Sequence, residues 1–321
     1  MRYSLAVVAA IAAHASAHGV ITEVQGANGV NMPGLSVADG TPRDCASPRC
    51  GSEADTSIIR TREMGGRASA LGRTQGGGPV DADAAVAMFM GGAAGGATGA
   101  AAGGAAAGGA AGGATGAAAA ANKKRGLLDT LLGGAAGGAG GAGGAGGAGG
   151  AGGAASAQGT KTPKGTAETG VAAAAGQGAS SGLPTTSDDG TITMTFHQVN
   201  QDGAGPLTAQ IDATSGGKDP AAFQDAQVTQ DVPGIGIGGL SAASTMDFPV
   251  KVQMPQGMTC SGTAGGAQNV CIVRMQNSAL AGPFGGSAAF TQSTAAKKRA
   301  IEYNLRKRHM ARGILGKPES E

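Results

Sequence analysis

Two histidines carry most of the chemistry this sequence offers. His18 follows the small-residue triplet Ala15-Ser16-Ala17, and His197 ends the run Thr191-Ile192-Thr193-Met194-Thr195-Phe196-His197. Arg2, an apolar stretch from Leu5 to Ala13 and that triplet have the build of a secretory signal peptide over residues 1–17. A cut after Ala17 makes His18 the first residue of the mature chain, where its α-amine and imidazole chelate one metal ion together. The plain alternative is that His18 merely follows a cleavage site. In the 191–197 run, strand periodicity puts Ile192, Met194 and Phe196 on one face and Thr191, Thr193, Thr195 and His197 on the other. His197 therefore lies opposite the apolar face, unless it sits at a solvated edge. Folded together, two imidazoles and one amine supply three nitrogens in a T-shape, which suits Cu(II).

Other motifs carry less. Gly234-Ile235-Gly236-Ile237-Gly238-Gly239 matches the dinucleotide fingerprint in letters only. It follows Pro233 without a strand–helix setting and reads as a glycine-rich loop. The nucleophile pattern G-x-S-x-G is missing. Paired carboxylates for sugar hydrolysis cannot be assigned from spacing. The cysteines Cys45, Cys50, Cys260 and Cys271 allow about three pairings. Proximity and an oxidising pathway favour Cys45–Cys50 and Cys260–Cys271, and neither pair has the C-x-x-C spacing of a metal site.

The elements that must position these groups are short strands. Val20–Val24, Leu207–Ile211, Ala226–Val232, Phe248–Gln253, Val270–Met275 and Ser287–Thr291 read as strands punctuated by Gly and Pro turns. Val80–Met90 reads as one helix begun near Asp81 or Asp83. The expected fold is mainly β, an antiparallel sandwich-like domain interrupted by a disordered Gly/Ala-rich insertion. The 321 residues include 63 Gly, no Trp, 2 Tyr and 6 Phe, so large core side chains are scarce. The domain divides into a first part, 18–90, a low-complexity linker, 91–184, a second part, 185–294, and a basic tail, 295–321. Ala supplies little apolar area and Gly disfavours helix, so the linker cannot build a core alone. One island interrupts it, Lys123-Lys124-Arg125-Gly126-Leu127-Leu128. The tail, with Lys297-Lys298-Arg299 and Arg306-Lys307-Arg308-His309, reads as a partly helical segment that binds anionic polymer or membrane, or is simply solvated. A net charge of +2 gives no argument for nucleic acid as a partner. No apolar stretch reaches the length of a transmembrane span, so the expected location is secreted and extracellular.

His18-Gly19-Val20-Ile21-Thr22-Glu23-Val24, Asp39-Gly40-Thr41-Pro42-Arg43-Asp44 and His197-Gln198-Val199-Asn200-Gln201-Asp202-Gly203-Ala204-Gly205-Pro206 resemble the fungal appressorium-specific secreted virulence-factor family of Egh-like type. So do Val228-Thr229-Gln230-Asp231-Val232-Pro233-Gly234, the block from Cys260 to Asn277, and Ala281-Gly282-Pro283-Phe284-Gly285-Gly286. The resemblance covers most of the chain outside the Gly/Ala block and implies a fungal protein linked to host penetration, without an established reaction. Many members carry cysteines where this chain has Met275 and Ser287, which is what loss of one disulfide looks like. The His-Gly start is also similar to that of lytic polysaccharide monooxygenases, copper enzymes with a β-sandwich core. That similarity implies a copper brace of His18 and His197, with Phe290 at the axial position. Two function classes follow: a copper-dependent oxidase acting on plant or fungal cell-wall polysaccharide, and a non-catalytic wall-binding or extracellular-matrix protein.

Overall fold

The computed structural model describes residues 18–92, 155–235 and 238–311. The expected signal peptide, the Lys123–Leu128 island, the middle of the G-x-G-x-x-G stretch and the end of the tail lie outside the described residues. Among those described, no helix is long and apolar enough to cross a membrane.

The first part of the chain contributes β1 (Gly19–Gln25), β2 (Asn31–Pro33), β3 (Ser57–Ile58), β4 (Arg73–Thr74), β5 (Gly78–Pro79) and helix α1 (Ala82–Phe89). After the insertion come β6 (Ala155–Ser156), β7 (Thr160–Lys161), α2 (Gly170–Ala174) and α3 (Gly178–Ser181). The second part supplies β8 (Thr191–Gln198), β9 (Thr208–Asp212), β10 (Phe223–Asp231), β11 (Met246–Gln253), β12 (Gly262–Ala264), β13 (Ala267–Gln276) and β14 (Phe284–Phe290). The tail forms α4 (Thr294–Ala311).

The strands hydrogen-bond in the order β2-β1-β8-β11-β10-β9-β13-β14-β3-β4-β5. Each neighbouring pair on this path is antiparallel, as the turn spacing predicts. β10 serves both halves of the sheet. Its start, Phe223–Ala226, pairs with β9, and its later residues, from Gln227, pair with β11. The sheet turns over there, and β14 comes back against β1. The approach is so close that a Cβ on Gly286 would lie 2.6 Å from the Ile21 nitrogen, so only glycine fits.

The core lies inside this turn. Ile192, Met194 and Phe196 are buried in it, as the alternation of β8 predicts, together with Ile21, Ile211 and Val250. In β1 the register with β8 shifts between Ile21 and Glu23. This bulge inserts one residue, so Ile21 opposes Phe196 and Val24 opposes Met194, and both apolar side chains reach the core. α1 starts where its cap allows: Asp81 Oδ1 accepts from the Ala84 N–H at 3.2 Å. Sulfurs bond in the expected pairs, Cys45–Cys50 and Cys260–Cys271.

Residues 155–184 fall in the linker by composition, but the structure places them in the fold. Ala157, Thr162 and Leu183 are buried. The Ala157 N–H donates to Asp231 O at 2.8 Å, and β7 pairs with the start of β11. Small residues here are held by partners more than forty positions away, which composition averaged over a window does not register. In the tail, Ala296 and Ala300 are buried and Asn304 Nδ2 donates to Gly257 O at 2.8 Å, while the last turns are exposed.

Candidate functional site

β1 and β8 bring the two histidines to one end of the sheet. Val20 opposes His197, and the ladder continues one step further, with the Val199 N–H donating to His18 O at 3.0 Å. His18 and His197 are thus diagonal neighbours across the strand pair, a relation that separates backbones by about 7–8 Å. Both side chains are buried, His18 at 3% exposure and His197 at 0%. β8 lies between β1 and β11, so the solvated edge position is excluded. The outer face here is covered instead by the chain around Arg43 to Asp55 and by Thr162 to Glu168.

Each imidazole faces a carboxylate. His197 Nδ1 lies 2.7 Å from Asp247 Oδ1, and Thr162 Oγ1 donates to the other Asp247 oxygen at 3.4 Å. With Nδ1–H donating to the carboxylate, Nε2 carries the lone pair. That Nε2 is buried and has no hydrogen-bond partner among the described residues. His18 Nδ1 lies 3.3 Å from Glu53 Oε1, and its ring rests on Phe284 with centroids 4.3 Å apart. The His18 N–H donates to Asn200 Oδ1 at 2.7 Å, and Asn200 Nδ2 donates to Glu53 Oε1 at 3.1 Å. Burial, aided by the charge of Asp202, pushes the Glu53 carboxyl up to about 7, against the pull of the Asn200 bond. Burial also raises Asp202 above the ordinary aspartate value.

A second buried polar group backs this layer. The Arg43 guanidinium forks onto Asp55, at 3.0 and 2.6 Å, and its Nε and Nη2 reach Glu168 Oε2 at 3.1 and 2.9 Å. Beside it a groove of about 380 Å³ runs past Thr22, Glu23 and Asn31 to Asp247. The carboxylate holding His197 therefore lines a groove open to solvent.

Phe290 does not take the axial place. It is fully buried in the main core, opposite Cys271. The aromatic ring on His18 belongs to Phe284, at the other end of β14. They stand at opposite ends of the seven-residue strand, about 20 Å apart at about 3.4 Å per residue. Strand periodicity puts both on one face and says nothing of which end meets His18. Phe284 and Asn200 lie within the family-like segments, so the sequence did point near them. Arg43 also lies in a family-like segment, but nothing in the sequence marks Glu53, Asp247, Asp55 or Glu168 as partners of these groups.

A family model described as Egh16-like virulence factor matches residues 16–285. The chain belongs to the Egh16-like virulence factor family. It is 57% identical over 324 residues to the appressoria-specific virulence factor GAS2 of Pyricularia oryzae, covering 100% of both chains. It is 40% identical over 129 residues to the appressoria-specific virulence factor GAS1 of the same organism, covering 39% of this chain and 50% of that one. No solved structure matches the chain significantly. The Egh16-like match begins just before His18 and runs past Phe284, so it contains every residue of the histidine layer.

Proposed function

We propose that this Egh16-like protein is secreted and acts in appressorium-mediated penetration of a host, and that its mature form holds one copper ion at His18 and His197. Family membership and the role named for the Pyricularia relatives support the first part. The copper part is carried by His197. Its Nδ1 is fixed by Asp247 while its Nε2 is buried without a partner among the described residues. A ligating histidine characteristically donates its other ring N–H to a carboxylate in this way.

Among the described residues no group of three or more His, Cys, Asp or Glu side chains is gathered to hold a metal. The proposed donor set needs no such group, because its third nitrogen is the α-amine released by a cut before His18. Nδ1 is the ring nitrogen of His18 that closes a chelate with that amine. His197 Nε2 completes the set. Bound copper supplies one-electron redox chemistry. The chain's own residues do the positioning: Asp247 orients the His197 ring, Asn200 accepts from the His18 nitrogen, and Phe284 packs on the His18 ring. The proposed target is plant or fungal cell-wall polysaccharide.

The test uses secreted protein whose N-terminus is confirmed as His18 by mass spectrometry. Calorimetry and electron paramagnetic resonance are expected to show one tight Cu(II) per chain, held in preference to zinc. His197→Ala, or extra residues before His18, should weaken it at least about tenfold, the effect of losing one ligand-grade interaction. His309→Ala should change nothing. Equal copper binding by wild type and His197→Ala rejects the site. Release of oxidised oligosaccharides from wall material with peroxide identifies the oxidase; retention on the wall without turnover identifies a binding protein.

A further inference from the structure

Three large aliphatic side chains stand in solvent away from α4: Ile235, Leu240 and Leu280, at 66%, 42% and 98% exposure. Apart from residues of α4, these are the exposed large hydrophobic side chains among the described residues. Single exposed leucines are ordinary, but several on one face mark a contact surface.

The loops bearing them meet at the His18 end of the sheet. Ile235 N–H donates to Leu240 O at 2.9 Å, Ala204 N–H to Gly239 O at 2.7 Å, and Ser241 N–H to Gln201 O at 2.6 Å. Asn277, three residues before Leu280, donates from Nδ2 to Asp202 O at 3.4 Å. The same Nδ2 lies 2.8 Å from where a Cβ of Gly239 would be. Asn200, which starts this loop system, accepts from the His18 nitrogen. Leu280 itself projects from the turn before Phe284, the ring on His18.

The two segments that bear these tips hold no charge of their own, and the loop they pack on holds one, the half-buried Asp202. No Asp, Glu, Lys or Arg occurs between Asp231 and Asp247, or between Arg274 and Lys297. Arg60, beneath the 281–282 turn, is occupied by the carbonyls of Ala281 and Gly282 and by Glu63. Lys161, beside the loop that follows Leu240, is likewise held by Ser244 O and Thr245 Oγ1. Branched aliphatic tips also lack the flat rings that stack on sugar faces. A fluid hydrocarbon layer conforms to separate tips and takes each one out of water. We infer that this end of the molecule docks on an uncharged phospholipid bilayer, inserting Leu280, Ile235 and Leu240 among its headgroups. Docking presents the His18 end of the sheet to the lipid surface, and it does not depend on copper.

Co-sedimentation of the full secreted chain with phosphatidylcholine vesicles tests this. Wild type should partition onto the vesicles equally at low and high salt. Leu280→Asp should lower the partition coefficient about tenfold or more, the loss expected for one inserted leucine. Leu280→Met should bind like wild type, and both variants should melt with wild type because the side chain is 98% exposed. Wild type remaining in the supernatant overturns the inference, as does unchanged binding of Leu280→Asp. Binding that requires phosphatidylglycerol and is lost in salt also overturns it, and assigns the contact to the basic helix α4.

Discussion

The two faces of the β1–β8 pair are both buried, yet they are held by different physics. On the inner face Ile21, Met194 and Phe196 join an apolar core in which each side chain touches many others. On the outer face His18, His197 and Arg43 are each held in place by one or two named groups. Those partners are remote: Asp55 is 12 residues from Arg43, Asp247 is 50 from His197, and Asn200 is 147 from Glu53. Apolar burial is non-directional and degrades gradually. A buried charge that loses its partner keeps its desolvation penalty. The polar layer is therefore the more brittle half, although it contains far fewer residues.

The largest expected effect tests where that layer begins. Excising residues 91–182 removes Glu168, β6 and β7, and should abolish cooperative unfolding as followed by circular dichroism. Next, Arg43→Met strands Asp55, whose side chain has 0% exposure, and should cost about 3–5 kcal/mol. That is as much as Phe196→Ala on the inner face, about 3–5 kcal/mol from lost transfer and cavity. Urea unfolding decides the comparison: if Arg43→Met costs under half of what Phe196→Ala does, the brittleness of the polar layer is wrong. Adding Asp55→Leu to Arg43→Met should recover part of the loss.

A smaller effect concerns Glu53. Its folded carboxyl lies at about 7, above the ordinary 4.5, so the fold favours the protonated form. The associated stability is complete below pH 4.5 and is lost as pH rises to about 7. The drop should be on the order of 1–3 kcal/mol, in chelator and with the residues before His18 retained. Glu53→Gln should flatten it. A wild-type profile already flat across that window rejects the assignment. The smallest effect is expected from replacing residues 93–154 with a short Gly/Ser linker. Composition predicts a melting temperature nearly unchanged, because this block has little apolar area to bury. A fall of many degrees would show that it packs on the fold.

The strands were legible because their signal is local. Alternation in 191–197 names the buried face of β8, and turn residues separate β9, β10, β11, β13 and β14 without reference to anything distant, while the short β12 was not named. Asp81 could be named near the start of α1 for the same reason, since a cap acts within one turn. The short disulfide loops were equally local. The bulge in β1 was not legible, because it exists only in register with β8.

The sequence by itself therefore determined the mainly antiparallel β character, the disulfide pairs and the two histidines worth attention, all from neighbours along the chain. Only the tertiary structure decided that 155–184 belongs to the fold, that Phe284 and not Phe290 meets His18, and that Glu53 and Asp247 face the imidazoles. Those facts depend on pairs of polar groups brought together across long separations. Spacing along a chain carries no trace of such a pair until the sheet turns over at β10 and fixes which ends meet.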